Sequence, residues 1–272
     1  MTVPYLAGIF IYPIKSLDGV AVTGATVIES GALEHDREFA IFDEKGNFVN
    51  GKRNAKVHLL RSSFEPDFRT ISLQIQGTDQ KFAFHLDKER TALETWLSDY
   101  FGFPAKLVQN CVTGFPDDTN ASGPTIISTA TLETVASWFP GLSVDEMRLR
   151  LRANLEIGGV PPFWEDRLFT QADSKVQFQI GEVTFEGINP CQRCVVLTRD
   201  AITAEAYPNF QKQFVAKRKE TLPSWVETSR FNHFFRLSVN TRVPESEAGK
   251  ILSQKDEIKM LKLQPNSAHS QP

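Results

Sequence analysis

Asn189-Pro190-Cys191-Gln192-Arg193-Cys194-Val195-Val196-Leu197-Thr198-Arg199-Asp200 concentrates more chemistry than any other stretch of the chain. Two thiols and a guanidinium fall within four residues and run into an apolar, β-branched segment. A Cys thiolate is a soft, anionic ligand suited to a transition metal. Arg193 between the pair can stabilise a neighbouring thiolate and grip an anion with its fork of donors. Three other readings compete on spacing alone. A zinc centre needs two further ligands, and the chain offers Cys111 and five scattered His, none paired at ligand spacing. A thioredoxin-like redox pair opens a helix, whereas Val195 to Leu197 reads as a strand. Inert cysteines are the plainest alternative, because free Cys is commonly buried.

Working outward, residues 177–180 and 183–186 alternate as a hairpin that delivers this motif, and residues 232–241 read as a strand beyond it. Residues 200–218 read as a polar segment. Residues 147–157 alternate strictly, which predicts a strand with Arg148, Arg150 and Arg152 on one face. The acidic pair Glu165-Asp166 follows. These carboxylates can relay protons, with Asp166 the catalytic candidate, or pair with the arginines. Residues 125–127 read as a strand, and Ser128 caps a helix running to about Phe139. That helix N-terminus, Ser128 with Thr129, can also hold an anion on backbone N–H groups. Ser143 caps a second, shorter helix.

The first half reads as short strands. Residues 5–12 form one, stopped by Pro13. In Tyr12-Pro13-Ile14-Lys15-Ser16-Leu17-Asp18-Gly19, Lys15 and Ser16 offer an ammonium and a hydroxyl to one ligand where strand gives way to turn. An exposed Lys beside a turn Ser is the bland reading. Glu34-His35-Asp36-Arg37-Glu38 runs straight into an apolar strand and puts Arg37 at its mouth, where a salt-bridged strand end is the plain alternative. Residues 58–62, 70–76 and 81–85 are short strands at the spacing of a small barrel. Leu93, Trp96, Leu97 and Tyr100 place one amphipathic helix over 86–101, ended by Gly102 and Pro104.

At 272 residues, 41% hydrophobic and 23% charged, the chain has the composition of a globular protein with ample core. A net charge of −3 gives no case for nucleic acid or an anionic membrane. Its 21 Phe against 4 Tyr are apolar fillers rather than a base-stacking platform. Three cysteines, two of them close together, argue against a disulfide framework and for a reducing compartment. No window approaches the ~20 apolar residues of a membrane span, and no leader pattern opens the chain, so the expectation is cytoplasmic.

Several of these motifs resemble the MOSC family, which includes the mitochondrial amidoxime-reducing proteins and their bacterial relatives. Cys191-Gln192-Arg193-Cys194 with Thr198 and Asp200 is similar to its C-terminal signature. Tyr-Pro-x-Lys-Ser-x-x-Gly matches its opening motif, Asp36-Arg37 its pair ahead of an apolar strand, and Arg152-Ala153-Asn154 its Phe-Arg-Pro-Asn strand with Ala153 for Pro. The resemblance implies an α+β, β-rich fold: an N-terminal MOSC-type β-barrel domain over residues 1–110 and a MOSC-type β-barrel domain with a few helices over 125–263. The turn-rich Phe115–Pro124 stretch places a linker over 111–124 between them, and the polar residues 264–272 read as a disordered tail. The resemblance also implies a molybdenum cofactor (Mo-molybdopterin) with Cys194 as metal ligand. Lys15, Ser16, Arg37, Ser128, Arg152, Asn154 and Arg193 would bind the cofactor. The implied reaction reduces N-hydroxylated small molecules. No iron–sulfur ligand set or nucleotide fingerprint is present, so electrons would come from a separate donor protein, ferredoxin- or cytochrome b5-like with its reductase. Two other classes stay open: a sulfur carrier using a Cys persulfide, and a protein that stores or delivers the cofactor.

Overall fold

The structure, a computed structural model, describes residues 3–265. The chain opens with β1 (Tyr5–Ile11), β2 (Val20–Val22), β3 (Gly24–Thr26) and β4 (Phe39–Asp43). Strands β5 (Leu60–Phe64), β6 (Thr70–Ile75) and β7 (Lys81–His85) precede helix α1 (Arg90–Phe101) and β8 (Ala105–Gln109). The second half runs through β9 (Ile126–Ser128), α2 (Thr129–Ser137), α3 (Val144–Leu151), β10 (Leu155–Gly158), β11 (Ser174–Ile180) and β12 (Val183–Gln192). It ends with α4 (Phe210–Glu220), β13 (Arg236–Arg242), β14 (Ile251–Ser253) and β15 (Ile258–Pro265). The architecture is α+β and β-rich, as expected.

One eight-stranded sheet carries the order β15-β11-β12-β13-β9-β10-β1-β2. Leu6, Ile9 and Ile11 of β1 are buried in the same apolar cluster as Ile126, Leu155, Ile157, Phe178 and Phe185. Ile9 sits opposite Leu155 of β10 on one side and Val22 of β2 on the other. The sheets therefore cross the expected division at residue 110, because the first two strands belong to the sheet of the second half. The first half keeps its own core of Phe39, Ile41, Leu60, Ile71, Leu73, Leu93 and Leu107. Around it lie the β4–β8 pair, the β5-β6-β7 sheet and α1. In α1, Leu93, Leu97 and Phe101 repeat every four residues on the buried face, and Gly102 at φ 84° ends the helix in the left-handed conformation. A third cluster packs α2, α3 and α4 together, with Phe139 stacked on Phe210 at 4.0 Å.

Four expectations need correction. Of the strand expected over 147–157, residues 147–151 instead complete helix α3, and 155–157 are strand, in β10. Ser143 caps the helix, and Asp145–Arg148 and Glu146–Arg150 pair at i, i+3 and i, i+4, so arginines two apart that mimic a strand also suit helical ion pairs. Arg148 turns to Glu156 of β10, apart from Arg150, which is buried against Glu146. Residues 195–198 form a 3-10 turn, not a strand, because the Cys194 carbonyl accepts from Leu197 N at 3.1 Å and the Thr198 hydroxyl donates to Val195 O at 2.7 Å. The polar segment 200–218 contains most of α4, whose Phe210 and Phe214 are buried four residues apart. Gln264 and Pro265 belong to β15 rather than to a tail, and the rest of that expected tail lies outside the described residues.

Because β1 closes the large sheet, Ile9→Ala is expected to cost about 2–5 kcal/mol. Chemical denaturation followed by fluorescence and by far-UV circular dichroism should give one shared transition at lower midpoint. Separate transitions for the two halves would contradict the shared sheet.

Candidate functional site

A cavity of about 560 Å³ opens between the two halves of the fold. Eight cationic side chains line it: Lys15, Arg37, Lys52, Arg61, Arg150, Arg152, Arg193 and Arg199. Four carboxylates face them: Asp18, Asp36, Asp117 and Asp118. In a chain of net charge −3 this is a local inversion of sign, and such clefts draw in anions.

Lys15 and Ser16 stand on a turn closed by Leu17 N donating to Ile14 O at 3.1 Å. Ser16 takes φ 75°, where Gly is usual. The Lys15 ammonium, 8% exposed, donates to Phe115 O at 2.9 Å and to Asp117 Oδ1 at 2.5 Å. Burial pulls its pKa down despite Asp117. At Asp117 the same pair works the other way: the cavity walls raise its carboxyl, but Lys15 and Arg37 outweigh them and hold it well below the ordinary range.

Arg37 and Arg152 meet from opposite halves of the chain. Arg37 donates to Asp36 and to Asn154 Oδ1 at 3.3 Å. Burial lowers its pKa, and Asp36 more than reverses that. Arg152 occupies the position after α3 that Gly commonly fills, at φ 55°, and Arg37 has φ 52°. Left-handed backbone at a non-Gly residue costs roughly 1–3 kcal/mol and gathers at functional sites. Both guanidiniums lie over the Tyr12 ring, at 5.2 Å for Arg37 and 4.4 Å for Arg152. Among the described residues Arg152 makes no ion pair and no side-chain hydrogen bond. Burial, with Arg37 beside it, lowers its pKa. Asn154 is a scaffold residue, 1% exposed, accepting from Thr125 N at 3.2 Å and donating to Phe10 O at 3.0 Å.

The cysteines come from the end of β12, where the register against β13 shifts between Pro190 and Gln192. A bulge there re-aims the following residues and accommodates Pro190 inside a sheet. Cys191 and Cys194 are both free, partly exposed and on the cavity wall. Arg193 donates to Cys191 Sγ at 3.3 Å and to Leu151 O at 2.6 Å, which fastens the motif to the end of α3. No group of three or more His, Cys, Asp or Glu among the described residues is placed to hold a metal, so the zinc reading has no support.

The structure brings Lys15, Ser16, Arg37, Arg152, Asn154, Arg193 and Cys194 to one cavity. Ser128 and Asp166 are not on its lining. Ser128, fully buried, accepts from Thr131 N at 3.1 Å as a helix cap. Asp166 is paired with Arg218, itself fully buried on α4. Beside them Glu165, 1% exposed, accepts from the Thr131 hydroxyl at 3.0 Å while its Oε1 has no partner. Sequence reasoning missed Arg61, which donates to Ala201 O at 3.0 Å and so bridges the two halves, and also Arg199, Asp117 and the buried His58. Arg61 stands on β5 and His58 on the 3-10 turn before it, and no local spacing announces any of the four.

Residues 3–104 match the MOSC N-terminal beta barrel domain and residues 121–248 the MOSC domain. Over 234 residues the chain is 26% identical to a molybdenum cofactor sulfurase of Drosophila mojavensis, covering 75% of this chain and 29% of the relative. The Homo sapiens molybdenum cofactor sulfurase is 21% identical over 264 residues, covering 79% and 29%. That of Danio rerio is 25% identical over 246 residues, covering 73% and 28%. This chain spans less than a third of the length of these relatives. No helix among the described residues is long and apolar enough to cross a membrane.

Glu165 makes the buried cluster pH-sensitive. Burial, with the charge of Asp166, pushes its carboxyl from an ordinary 4.5 up to about 7. The folded chain therefore holds a proton that the unfolded chain releases, and the stability this confers is full below about pH 4.5 and lost as pH rises through 7. Its size is about 3 kcal/mol. Glu165→Gln keeps the shape without the titration, so its urea-unfolding free energy should fall less than the wild type's between pH 5 and 8. Parallel pH profiles would contradict the assignment.

Proposed function

The chain belongs to the MOSC-domain family, and from that premise we propose that it is a molybdenum-cofactor-binding oxidoreductase that reduces N-hydroxylated small molecules. The observation that carries the reading is the meeting, on one cavity, of an uncompensated guanidinium, Arg152, with Cys194, a thiol free of any disulfide. The first selects an anionic group and the second a soft metal. A phosphorylated molybdenum pterin has both. The donor set fits in a further respect: Arg61 Nε, Arg150 Nη1, Arg193 Nε and Arg199 Nε, all on lining residues, are buried without a partner. Unpaired buried donors are uncommon.

In this proposal Lys15, Ser16, Arg37, Arg152 and Arg193 hold phosphate and pterin, Asn154 aims Arg37, and Cys194 is the metal ligand. When bound, the cofactor supplies the two-electron couple by which N–OH and two protons become N–H and water. The protein binds, orients and shields. Electrons come from a separate ferredoxin- or cytochrome b5-like donor with its reductase. Ser128 and Asp166 are given no part, since one is spent on a cap and the other on Arg218. A second reading, sulfur carriage on a Cys191 persulfide, is favoured by the 3.3 Å contact from Arg193, which suits an anionic sulfur, and by the sulfurase relatives.

Arg37→Ala and Arg152→Ala should each weaken cofactor retention roughly ten- to a hundredfold, the equivalent of about 1.5–3 kcal/mol, and Arg152→Ala, which strands no partner, should do so without lowering the unfolding midpoint as Ile9→Ala does. Retention at wild-type level in both would return these residues to a solvated face. Cys194→Ser should abolish most reduction of an amidoxime driven by a chemical electron donor, while Cys191→Ser keeps much of it. The reverse pattern would favour the sulfur-carrier reading.

A further inference from the structure

We infer that Tyr12 is a positioning residue that holds Arg37 and Arg152 together as a two-guanidinium clamp for a phosphomonoester. The inference rests on the cofactor reading above and names the device that makes its anion subsite. Tyr12 is tied to both arginines by separate contacts. Its carbonyl accepts from Arg37 N at 2.7 Å, and its own N–H donates to Asp36 Oδ1 at 2.9 Å, the carboxylate that also pairs with Arg37. Its hydroxyl donates to Ala153 O at 3.3 Å, the residue after Arg152. Both guanidiniums lie over its ring.

Two cations in a partly desolvated cavity repel, and the segments that carry them come from positions 115 residues apart. The electron-rich face of an aromatic ring is the one neutral surface that attracts both. It holds both against one ring without adding a counter-charge, which a carboxylate in its place would do; Asp36 pairs with Arg37 alone. Arg152 in particular is left with its donors uncommitted among the described residues. Gly19 shows that the ring's position is built in. A Cβ there would stand 2.5 Å from Tyr12 Cε1 and 2.6 Å from Cδ1, so only a residue without a side chain lets the ring lie where it does. The spacing of Tyr12 and Gly19 in the opening motif acquires a physical reason.

The test is calorimetric titration of the full, cofactor-free chain with inorganic phosphate at low ionic strength. Wild type should bind. Tyr12→Phe, which keeps the ring, should bind within about threefold of wild type, and Tyr12→Leu at least tenfold more weakly. Arg152→Ala in the Tyr12→Leu background should lose little more, because the two act as a unit. Equal affinity in Tyr12→Leu and wild type would overturn the clamp alone. Absence of phosphate binding by wild type would overturn the cofactor reading and the clamp with it. If Tyr12→Leu does not fold, Gly19→Ala replaces it, since the added methyl displaces the ring but keeps it buried. Several-fold weaker binding then supports the clamp, and unchanged binding overturns it.

Discussion

Like charge crowded around one cavity is the constraint that the rest of this molecule answers. Eight cationic side chains line about 560 Å³, in a chain that is acidic overall. Each answer is local and different. Asp36 holds Arg37, Asp117 holds Lys15, and Glu146 with Asp200 holds Arg150. Leu151 O and a thiol take Arg193, and an aromatic ring takes Arg152. The compensation is incomplete, and the surplus is what equips the cavity for an anion.

The fold exists to bring those groups together across the length of the chain. Strands β1 and β2 leave the first half and close the edge of the second half's sheet, next to β10. That step sets the turn carrying Lys15 and Ser16, and the Asp36-Arg37 segment bonded to Tyr12, beside the end of α3. The bulge at Pro190 then delivers the cysteines from the other side. Three cavity-lining residues, Ser16, Arg37 and Arg152, take left-handed backbone, and strain of that kind gathers where geometry matters more than stability.

Much of this was legible in the residues themselves. The apolar runs at residues 5–11 and 39–43, the alternating β11–β12 hairpin and the helical repeat of α1 each announced their element. The motifs that share the cavity were legible as motifs. What was hidden has physical causes. Arginines at 148 and 150 fit a strand period and a helical ion-pair spacing equally, and the carboxylates at 145 and 146 decide for the helix. Val195 to Leu197 carry strand propensity, yet the Thr198 hydroxyl and the Cys194 carbonyl close a turn. Asp117 and Arg61 act through long-range contacts, over 102 and 140 residues, that no local window contains. Ser128 has the same sequence signature whether it caps a helix or binds an anion, and in the structure it caps.

The central claim is that this cavity holds a phosphorylated molybdenum pterin. Its most direct test is elemental analysis of the full chain purified from a cell that makes the cofactor, with oxidative release and identification of the pterin. The account predicts close to one molybdenum and one phosphorylated pterin per chain. Folded protein from such a cell that carries neither would contradict it.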